Sequence, residues 1–139
     1  MPTDVNCRDR IRSHLNHLYP GNVEGPVAEL AARIERAASA IPARRAAWDQ
    51  TDCILITYGD QVSQDGEKPL KTLRRFLLRH DLDALLSTVH VLPFFPYSSD
   101  DGFSVIDYRR VDPALGDWSD VAALGQRFDL MFDLVVNHC

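Results

Sequence analysis

The amino-acid sequence predicts an α/β fold in which parallel strands alternate with helices, preceded by a separate helical segment. Three apolar runs have the length of buried strands, at residues 53–58, 85–92 and 130–136. The segments between them carry apolar residues at helical spacing, and this alternation is typical of right-handed βαβ units and a parallel sheet. Because 45% of the 139 residues are hydrophobic, the chain has enough apolar material for one core.

Residues 1–50 predict a helical N-terminal extension, which we separate from residues 51–139. Ile11, Leu15 and Leu18 recur at helical spacing and predict a first helix. A second helix is expected to begin near Pro26, where proline fits a first turn, and to end at Pro42. Its apolar stripe consists of Val27, Leu30, Ala31, Ile34, Ala37, Ala38 and Ile41.

The first strand is predicted in residues 53–58, whose continuous apolar run is typical of a strand covered on both faces. Pro69 is placed to open the next helix, with Lys71, Arg74, Arg75 and Arg79 mostly on its solvated side. The apolar side of that helix is formed by Leu70, Leu73, Phe76 and Leu77.

A second strand is predicted within residues 85–92 and should stop at Pro93, because proline cannot donate a ladder hydrogen bond. Asp117 precedes Asp120 by three positions, an arrangement that caps a helix start, and an apolar helix face follows. The third strand, residues 130–136, is interrupted by Asp133. An ionised carboxylate is costly there unless it is paired, so this residue is either a structural anchor or part of a site.

Composition excludes several classes of function. The net charge is −5 and no basic stripe stands out, so we predict no nucleic-acid partner. No apolar run approaches the roughly 20 residues that span a bilayer, and the N-terminus lacks the apolar core of a signal peptide, so no membrane partner is expected. Three widely spaced cysteines suggest free thiols in a reducing compartment, and we predict a cytoplasmic location.

The notable polar residues follow the predicted strands. Tyr58 and Asp60 end the first strand, an aromatic loop with Asp100 follows the second, and Asn137 and His138 end the third. The carboxyl ends of parallel strands meet at one edge of a sheet, so we expect a site there.

The loop after Pro93 contains four aromatic residues beside hydroxyls and carboxylates, namely Phe94, Phe95, Tyr97 and Phe103. Such a composition suits a small-molecule pocket, although a plain surface turn around Ser-Asp-Asp-Gly is an equally good interpretation of the loop alone.

Three segments, ILITYGD, VHVLPFFPYSSDDGFSVIDY and DLVVNHC, together resemble the α-amylase-type glycoside hydrolase clan (glycoside hydrolase family 13), and most closely its sucrose phosphorylase group. The resemblance covers residues 52–139. It implies a (β/α)8 TIM barrel that cleaves an α-glucoside with retention and passes the glucosyl unit to inorganic phosphate, giving α-glucose 1-phosphate.

The same resemblance implies roles for individual residues. Asp100 and His138 would hydrogen-bond hydroxyls of the glucosyl ring, and Phe103 would give that ring an apolar wall. Asp133 would lie beneath the site and hold polar or positively charged neighbours. Two further structural residues would be Asn137 and Tyr58. No metal and no cofactor are expected, and the small-molecule partners would be a glucoside and phosphate.

Length is the main departure from the family, because a full barrel takes about 250 residues and residues 51–139 suffice for about three of its eight strands. We therefore expect an N-terminal fragment, the first third of the barrel.

Retention of configuration at the sugar carbon needs two carboxyl groups about 5 Å apart. By resemblance they arise beyond Cys139, and Asp100 and Asp101 cannot replace them, because neighbouring side chains on an extended loop point apart. The fragment alone should be catalytically silent, with an exposed sheet edge.

Several alternatives remain open. The SSDDGFSVIDY loop and the helical extension are similar to the branch with sucrose 6-phosphate and glucosylglycerate phosphorylases. Hydrolytic or transglucosidase relatives, such as α-amylase-like or amylosucrase-like enzymes, come next. A metal-dependent hydrolase could use Asp133, Asn137 and His138, and a non-enzymatic module could bind a glucoside through Asp100, Phe103 and His138. The oligomeric state is left open by the sequence.

Overall fold

The computed structural model describes residues 5–41 and 48–136. The chain forms two compact units, Met1–Ala46 and Ala47–Cys139. No helix in the described parts is long and apolar enough to cross a membrane.

The N-terminal unit is a pair of helices, α1 (Val5–Leu18) and α2 (Glu24–Ala40), as predicted. Helix α2 begins two residues before Pro26, because N–H groups in a first turn have no acceptor within the helix and proline therefore loses nothing there. Its stripe is only partly covered: Val27 and Ala31 are buried, whereas Leu30 and Ile34 are 41% and 47% exposed. Pro42 lies outside the described residues.

Two ion pairs join the helices of this unit. Nε of Arg12 donates to Oε1 of Glu24 at 2.7 Å, and Nη2 of Arg8 donates to Oε1 of Glu35 at 3.2 Å. The hydrogen bond from Arg12 lowers the pKa of Glu24, and the same bond raises the pKa of Arg12. These pairs are exposed and are therefore secondary to the packing of Val27 and Ala31.

The second unit contains a three-stranded parallel sheet in the order β1-β2-β3, which confirms the predicted α/β fold class. Its regular elements in chain order are β1 (Ile54–Thr57), α3 (Pro69–Arg79), β2 (Thr88–Val91), α4 (Trp118–Gly125) and β3 (Asp129–Phe132). Short 3₁₀ turns occur at Leu82–Ala84 and Asp100–Gly102. The register pairs Thr57 with Val91 and Val91 with Phe132, so the three strands end level with one another.

The strands are four residues long, shorter than the apolar runs that predict them. Strand β2 stops before Pro93 as expected. Strand β3 was expected to reach Val136 but ends at Phe132, because β2, its only neighbour in the described part of the chain, ends at the paired residue Val91.

The core lies on one side of the sheet. Both α3 and α4 pack there, since successive right-handed crossovers place their helices on the same side. Leu70, Leu73 and Leu77 from α3 and Leu124 from α4 are at most 2% exposed and pack with Val89 and Val91.

The other side of the sheet, which we call the open face, carries Ile54, Ile56, His90 and Met131. Ile54 and Ile56 are 39% and 62% exposed, so the prediction that the first strand is covered on both faces is wrong for this structure. The reason is that both crossover helices occupy the opposite side.

The two helices of this unit begin as the sequence predicts. Pro69 is the first residue of α3, and Asp117 forms a capping box with Asp120 at the start of α4. One placement on α3 is wrong: Phe76, expected on the buried face, is 41% exposed and packs against the ring of His80 with centroids 4.6 Å apart.

Candidate active site at the strand ends

A cavity of about 390 Å³ opens at the carboxyl ends of β1 and β2. Three residues that directly follow β1 and six from the long loop between β2 and α4 form its wall. They are Tyr58, Gly59 and Asp60, and Pro93, Tyr97, Asp101, Asp112, Ala114 and Leu115. The volume suits a small polar molecule of monosaccharide size together with water.

The β1 side of the cavity depends on close packing at Gly59. A Cβ atom added there would lie 3.3 Å from side-chain atoms of both Leu115 and Leu70. The backbone N–H of Leu70 also donates to the carbonyl oxygen of Leu115 at 3.1 Å. The start of α3 thus holds the cavity wall against the core. Tyr58, which we expected to have a structural role, is 38% exposed and lines the cavity.

The aromatic residues after Pro93 divide between core and cavity. Phe94 and Phe95 are 1% and 6% exposed, their rings stack with centroids 4.4 Å apart, and both pack near Trp118. They are therefore core residues that anchor the loop, and only Tyr97 of the three lines the cavity. Composition alone could not separate these roles, because the apolar content of the loop is the same in both cases.

The acidic stretch of the loop forms a tight turn at the rim. Asp100, Asp101 and Gly102 have φ angles of 61°, 46° and 101°. Both aspartates are exposed, and Phe103, which follows the turn, is half-buried. The described part of the cavity wall includes Asp101 but neither Asp100 nor Phe103. Asp101 was not among the predicted site residues.

Asp133 follows β3 and interacts with the open face of the sheet. Its Oδ2 lies 2.9 Å from Nε2 of His90, a hydrogen bond in which the imidazole N–H donates to the carboxylate. Both side chains are mostly shielded from solvent, with exposures of 29% and 15%. His90 was not among the predicted site residues, although a polar residue at an alternate position of an apolar strand is a usable signal.

Asn137 and His138 lie outside the described residues, so the proximity of His138 to Asp100 stays a prediction. One contact links the loop after β2 with the segment that leads to them. The hydroxyl of Tyr108 donates to the carbonyl oxygen of Val135 at 2.6 Å. The end of the VHVLPFFPYSSDDGFSVIDY segment is thus tied to the chain just before Asn137.

The described wall of the cavity carries several hydrogen-bond acceptors. Asp60, Asp101 and Asp112 line it, and no described residue of its wall is Lys, Arg or His. Carboxylates accept hydrogen bonds from hydroxyls but repel anionic groups, so these described residues suit a neutral sugar ring and not the carboxylate or phosphate group of a ligand. Within the described parts of the chain, no group of three or more His, Cys, Asp or Glu is arranged to hold a metal ion.

Comparison with known proteins gives strong similarities. The chain is 47% identical over 133 residues to glucosylglycerate phosphorylase of Allomeiothermus silvanus, an alignment that covers 94% of this chain and 23% of that protein. It is 47% identical over 85 residues to sucrose phosphorylase of Streptococcus mutans, covering 61% of this chain and 17% of that protein. The chain thus spans less than a quarter of the length of these relatives. No protein-family model matches it.

Structural comparison agrees with the sequence alignments. The crystal structure of sucrose 6F-phosphate phosphorylase from Thermoanaerobacter thermosaccharolyticum superposes with a TM-score of 0.58 and 38% identity, covering 67% of this chain and 18% of that one. The parallel βαβ units, the three sequence motifs and these alignments agree. The chain belongs to the sucrose phosphorylase group of glycoside hydrolase family 13, in the α-amylase-type clan, and corresponds to the N-terminal part of its members.

Proposed function

We propose that the whole protein is a retaining α-glucoside phosphorylase, and that glucosylglycerate is its preferred glucoside. It transfers the glucosyl unit to inorganic phosphate and releases α-glucose 1-phosphate and glycerate. By the whole protein we mean the complete product of the reading frame that encodes this chain, called the complete gene product below.

The choice of glucoside rests on how much of this chain aligns with each relative. The match to a glucosylglycerate phosphorylase runs through 94% of the chain and so includes most of the two-helix unit, whereas the match to a sucrose phosphorylase covers 61%. A helical extension that is aligned together with the barrel favours the glucosylglycerate branch. Sucrose and sucrose 6-phosphate remain the competing glucosides.

The proposal assigns contacts with the glucosyl ring to Asp100, His138 and Phe103. Asp100 is exposed on the rim at the ends of the strands, where its carboxylate is free to accept hydrogen bonds from sugar hydroxyls. The Tyr108–Val135 hydrogen bond supports a close approach of the loop and the segment before His138.

Asp133, Asn137 and Tyr58 have supporting roles, and Tyr58 has its role as part of the cavity wall. For Asp133 this role is supported by its hydrogen bond with His90, which ties the end of β3 to β2. Phosphate enters as a co-substrate, and no metal or cofactor takes part. The nucleophile and the acid/base carboxyl groups are supplied by later strands of the barrel.

The enzyme works in the cytoplasm. Cys7 and Cys53, the cysteines within the described residues, are both free thiols, which supports a reducing compartment.

The test is a substrate panel with the complete gene product. Glucosylglycerate, sucrose, sucrose 6F-phosphate and glucosylglycerol are each incubated with and without phosphate, and α-glucose 1-phosphate and free glucose are measured. We expect phosphate-dependent release of α-glucose 1-phosphate with the highest kcat/KM for glucosylglycerate. Free glucose without phosphate would instead identify a hydrolase, and no turnover of any glucoside would refute the proposal.

A variant pair tests the ring contact. Asp100→Asn keeps the shape of the side chain but removes the charged acceptor, and should lower kcat/KM by about 10- to 100-fold. Asp65→Asn, on the exposed loop after β1, is the matched control and should leave kcat/KM unchanged. Equal activity of the two variants would contradict the assignment of Asp100.

A further inference from the structure

We propose that the turn from Ser99 to Ser104 is a positioning device for the Asp100 carboxylate, with Gly102 as its positioning residue. The inference rests on the proposed function, which gives Asp100 its contact with the glucosyl ring. It adds a residue that touches no ligand but determines where the carboxylate of Asp100 points.

The turn has an unusual backbone. Asp100, Asp101 and Gly102 are three consecutive residues in the left-handed region, with φ of 61°, 46° and 101°. Aspartate tolerates this region better than most residues, but for any residue with a Cβ atom it is less favourable than a right-handed conformation. A run of this kind persists only where the surrounding structure determines it, and such strain is concentrated at functional sites.

Gly102 is the residue that permits this backbone. It is buried, and a Cβ atom added to it would lie 2.7 Å from the carbonyl oxygen of Pro93. Pro93 is itself buried at the end of the strand segment and cannot move aside cheaply. Any other amino acid at position 102 therefore meets two obstacles, the positive φ and the carbonyl oxygen, and the turn must shift to relieve them.

Hydrogen bonds fix both ends of the turn. The N–H of Ser98 donates to the carbonyl oxygen of Ser104 at 3.0 Å, and the N–H of Ser104 donates to that of Ser99 at 3.3 Å. The hydroxyl of Ser99 donates to the hydroxyl of Ser104 at 3.1 Å. Within the turn, the N–H of Phe103 donates to the carbonyl oxygen of Asp100 at 2.9 Å. The short connection between these bonds leaves Asp100 little backbone freedom.

The consequence is a separation of two neighbouring carboxylates. Asp101 lines the cavity wall in the described structure, whereas Asp100 does not. A right-handed or extended backbone at these positions would direct the two side chains differently. The left-handed turn thus separates the two carboxylates, with Asp101 at the cavity wall and Asp100 exposed on the rim where the glucosyl ring is proposed to bind, and Gly102 maintains that arrangement.

The test compares Gly102→Ala with Gly66→Ala in the complete gene product. Gly66 is the matched control, because it also has a positive φ of 78° but a Cβ atom there would have no neighbour within 4 Å. We expect Gly102→Ala to lower kcat/KM for the glucoside by about 100-fold, the usual effect of misplacing a contact by about 1 Å. Gly66→Ala should leave kcat/KM unchanged.

A double-mutant cycle separates positioning from general damage. If Gly102 acts through Asp100, then Gly102→Ala should have no further effect on kcat/KM in an Asp100→Ala background. If Gly102 had a purely structural role, the fold losses in kcat/KM of the two single variants would multiply in the double variant. That result would overturn the inference. Should Gly102→Ala fail to fold, Ser104→Ala takes its place in the same cycle. It removes one hydroxyl partner of the turn and should lower kcat/KM only when Asp100 is present.

The two proposals fail in different ways. If the unmodified complete gene product shows no phosphorolysis, both the proposed function and this inference are refuted. An active protein in which Gly102→Ala and Gly66→Ala behave alike overturns the positioning role alone.

Discussion

Replacement of Leu70 by alanine is the most direct test of how the core supports the cavity. Leu70 is completely buried and lies beneath Gly59, where a Cβ atom would be 3.3 Å from its side chain. Its N–H donates to the carbonyl oxygen of Leu115, another residue of the cavity wall. The side chain therefore belongs to the core and supports both loops of the cavity.

The expected cost follows from this burial. Loss of the Leu70 side-chain carbons beyond Cβ, at about 0.8 kcal/mol for each methylene-sized group, amounts to about 2.4 kcal/mol of lost transfer free energy. A cavity remains on top of that loss, because the loop that crosses Leu70 at Gly59 is already in close contact with Leu115 and cannot collapse inward. We therefore expect Leu70→Ala to lower the free energy of unfolding by about 3 to 5 kcal/mol.

The assay is urea unfolding of the 139-residue chain, followed by tryptophan fluorescence. Trp118 packs against Phe94, so its fluorescence reports on the core of the second unit. Trp48 is 62% exposed, and it is first replaced by phenylalanine so that the signal comes from Trp118 alone. Leu85→Ala is the matched control, because Leu85 is 68% exposed and its loss should cost less than about 0.5 kcal/mol. If the two variants were destabilised equally, the assignment of Leu70 to a closely packed core would be wrong.

Three further predictions concern the open face, the cap of α4 and the pair at the end of β3. Ile56→Lys places a charge on the open face and should reduce self-association of the 139-residue chain in analytical ultracentrifugation, whereas Leu85→Lys should not; equal effects would contradict the exposure of that face. The pKa of Asp117 is lowered by the hydroxyl and backbone N–H groups of the first turn of α4, so its cap stabilises the folded chain above about pH 4 and is lost as the pH falls through the lowered pKa. Asp117→Asn should therefore flatten the fall of the melting temperature below about pH 4, and an unchanged pH profile would contradict the role of the charge. A double-mutant cycle of His90→Ala and Asp133→Ala should give a coupling energy of about 0.5 to 3 kcal/mol, and strictly additive losses would show that their hydrogen bond contributes nothing.

The sequence predicts the order and type of the elements well, because each has a local physical cause. Pro69 begins α3, the Asp117–Asp120 capping box begins α4, and Pro93 follows the end of β2. These signals act over a few residues, so no tertiary information is needed to detect them. The parallel sheet then follows from the alternation of strands and helices.

Strand lengths and the open face could not be predicted in the same way, because both depend on neighbours that are distant in sequence. The run 130–136 is uniformly apolar apart from Asp133, yet β3 ends at Phe132 where its partner strand ends. Ile56 is as apolar as Val89, but one is 62% exposed and the other fully buried. Hydrophobicity shows that a residue favours burial and does not show which face of the sheet is covered.

The sequence predicts a site at the carboxyl-end edge of the sheet, and a cavity lies at that edge, with a wall that differs in part from the selected residues. Strand direction alone places Tyr58 and the loop after β2 at the same edge, and the cavity lies there. The contribution of Asp101 and the hydrogen bond between His90 and Asp133 were missed. The role of Asp101 depends on a side-chain direction that only the tertiary structure fixes, whereas the alternate polar position of His90 in an apolar strand is visible in the sequence.

The sequence predicts that the side chains of Asp100 and Asp101 point apart because their loop is extended, and the structure gives these residues a different backbone. On an extended loop, neighbouring side chains alternate. The structure has a left-handed turn instead, and only Asp101 of the two lines the cavity. An extended loop would accept most residues at position 102, whereas this turn requires glycine, because a Cβ atom there would lie 2.7 Å from the carbonyl oxygen of Pro93. The extended loop and the left-handed turn therefore predict different results for Gly102→Ala, and the turn seen in the structure favours a large loss of kcat/KM.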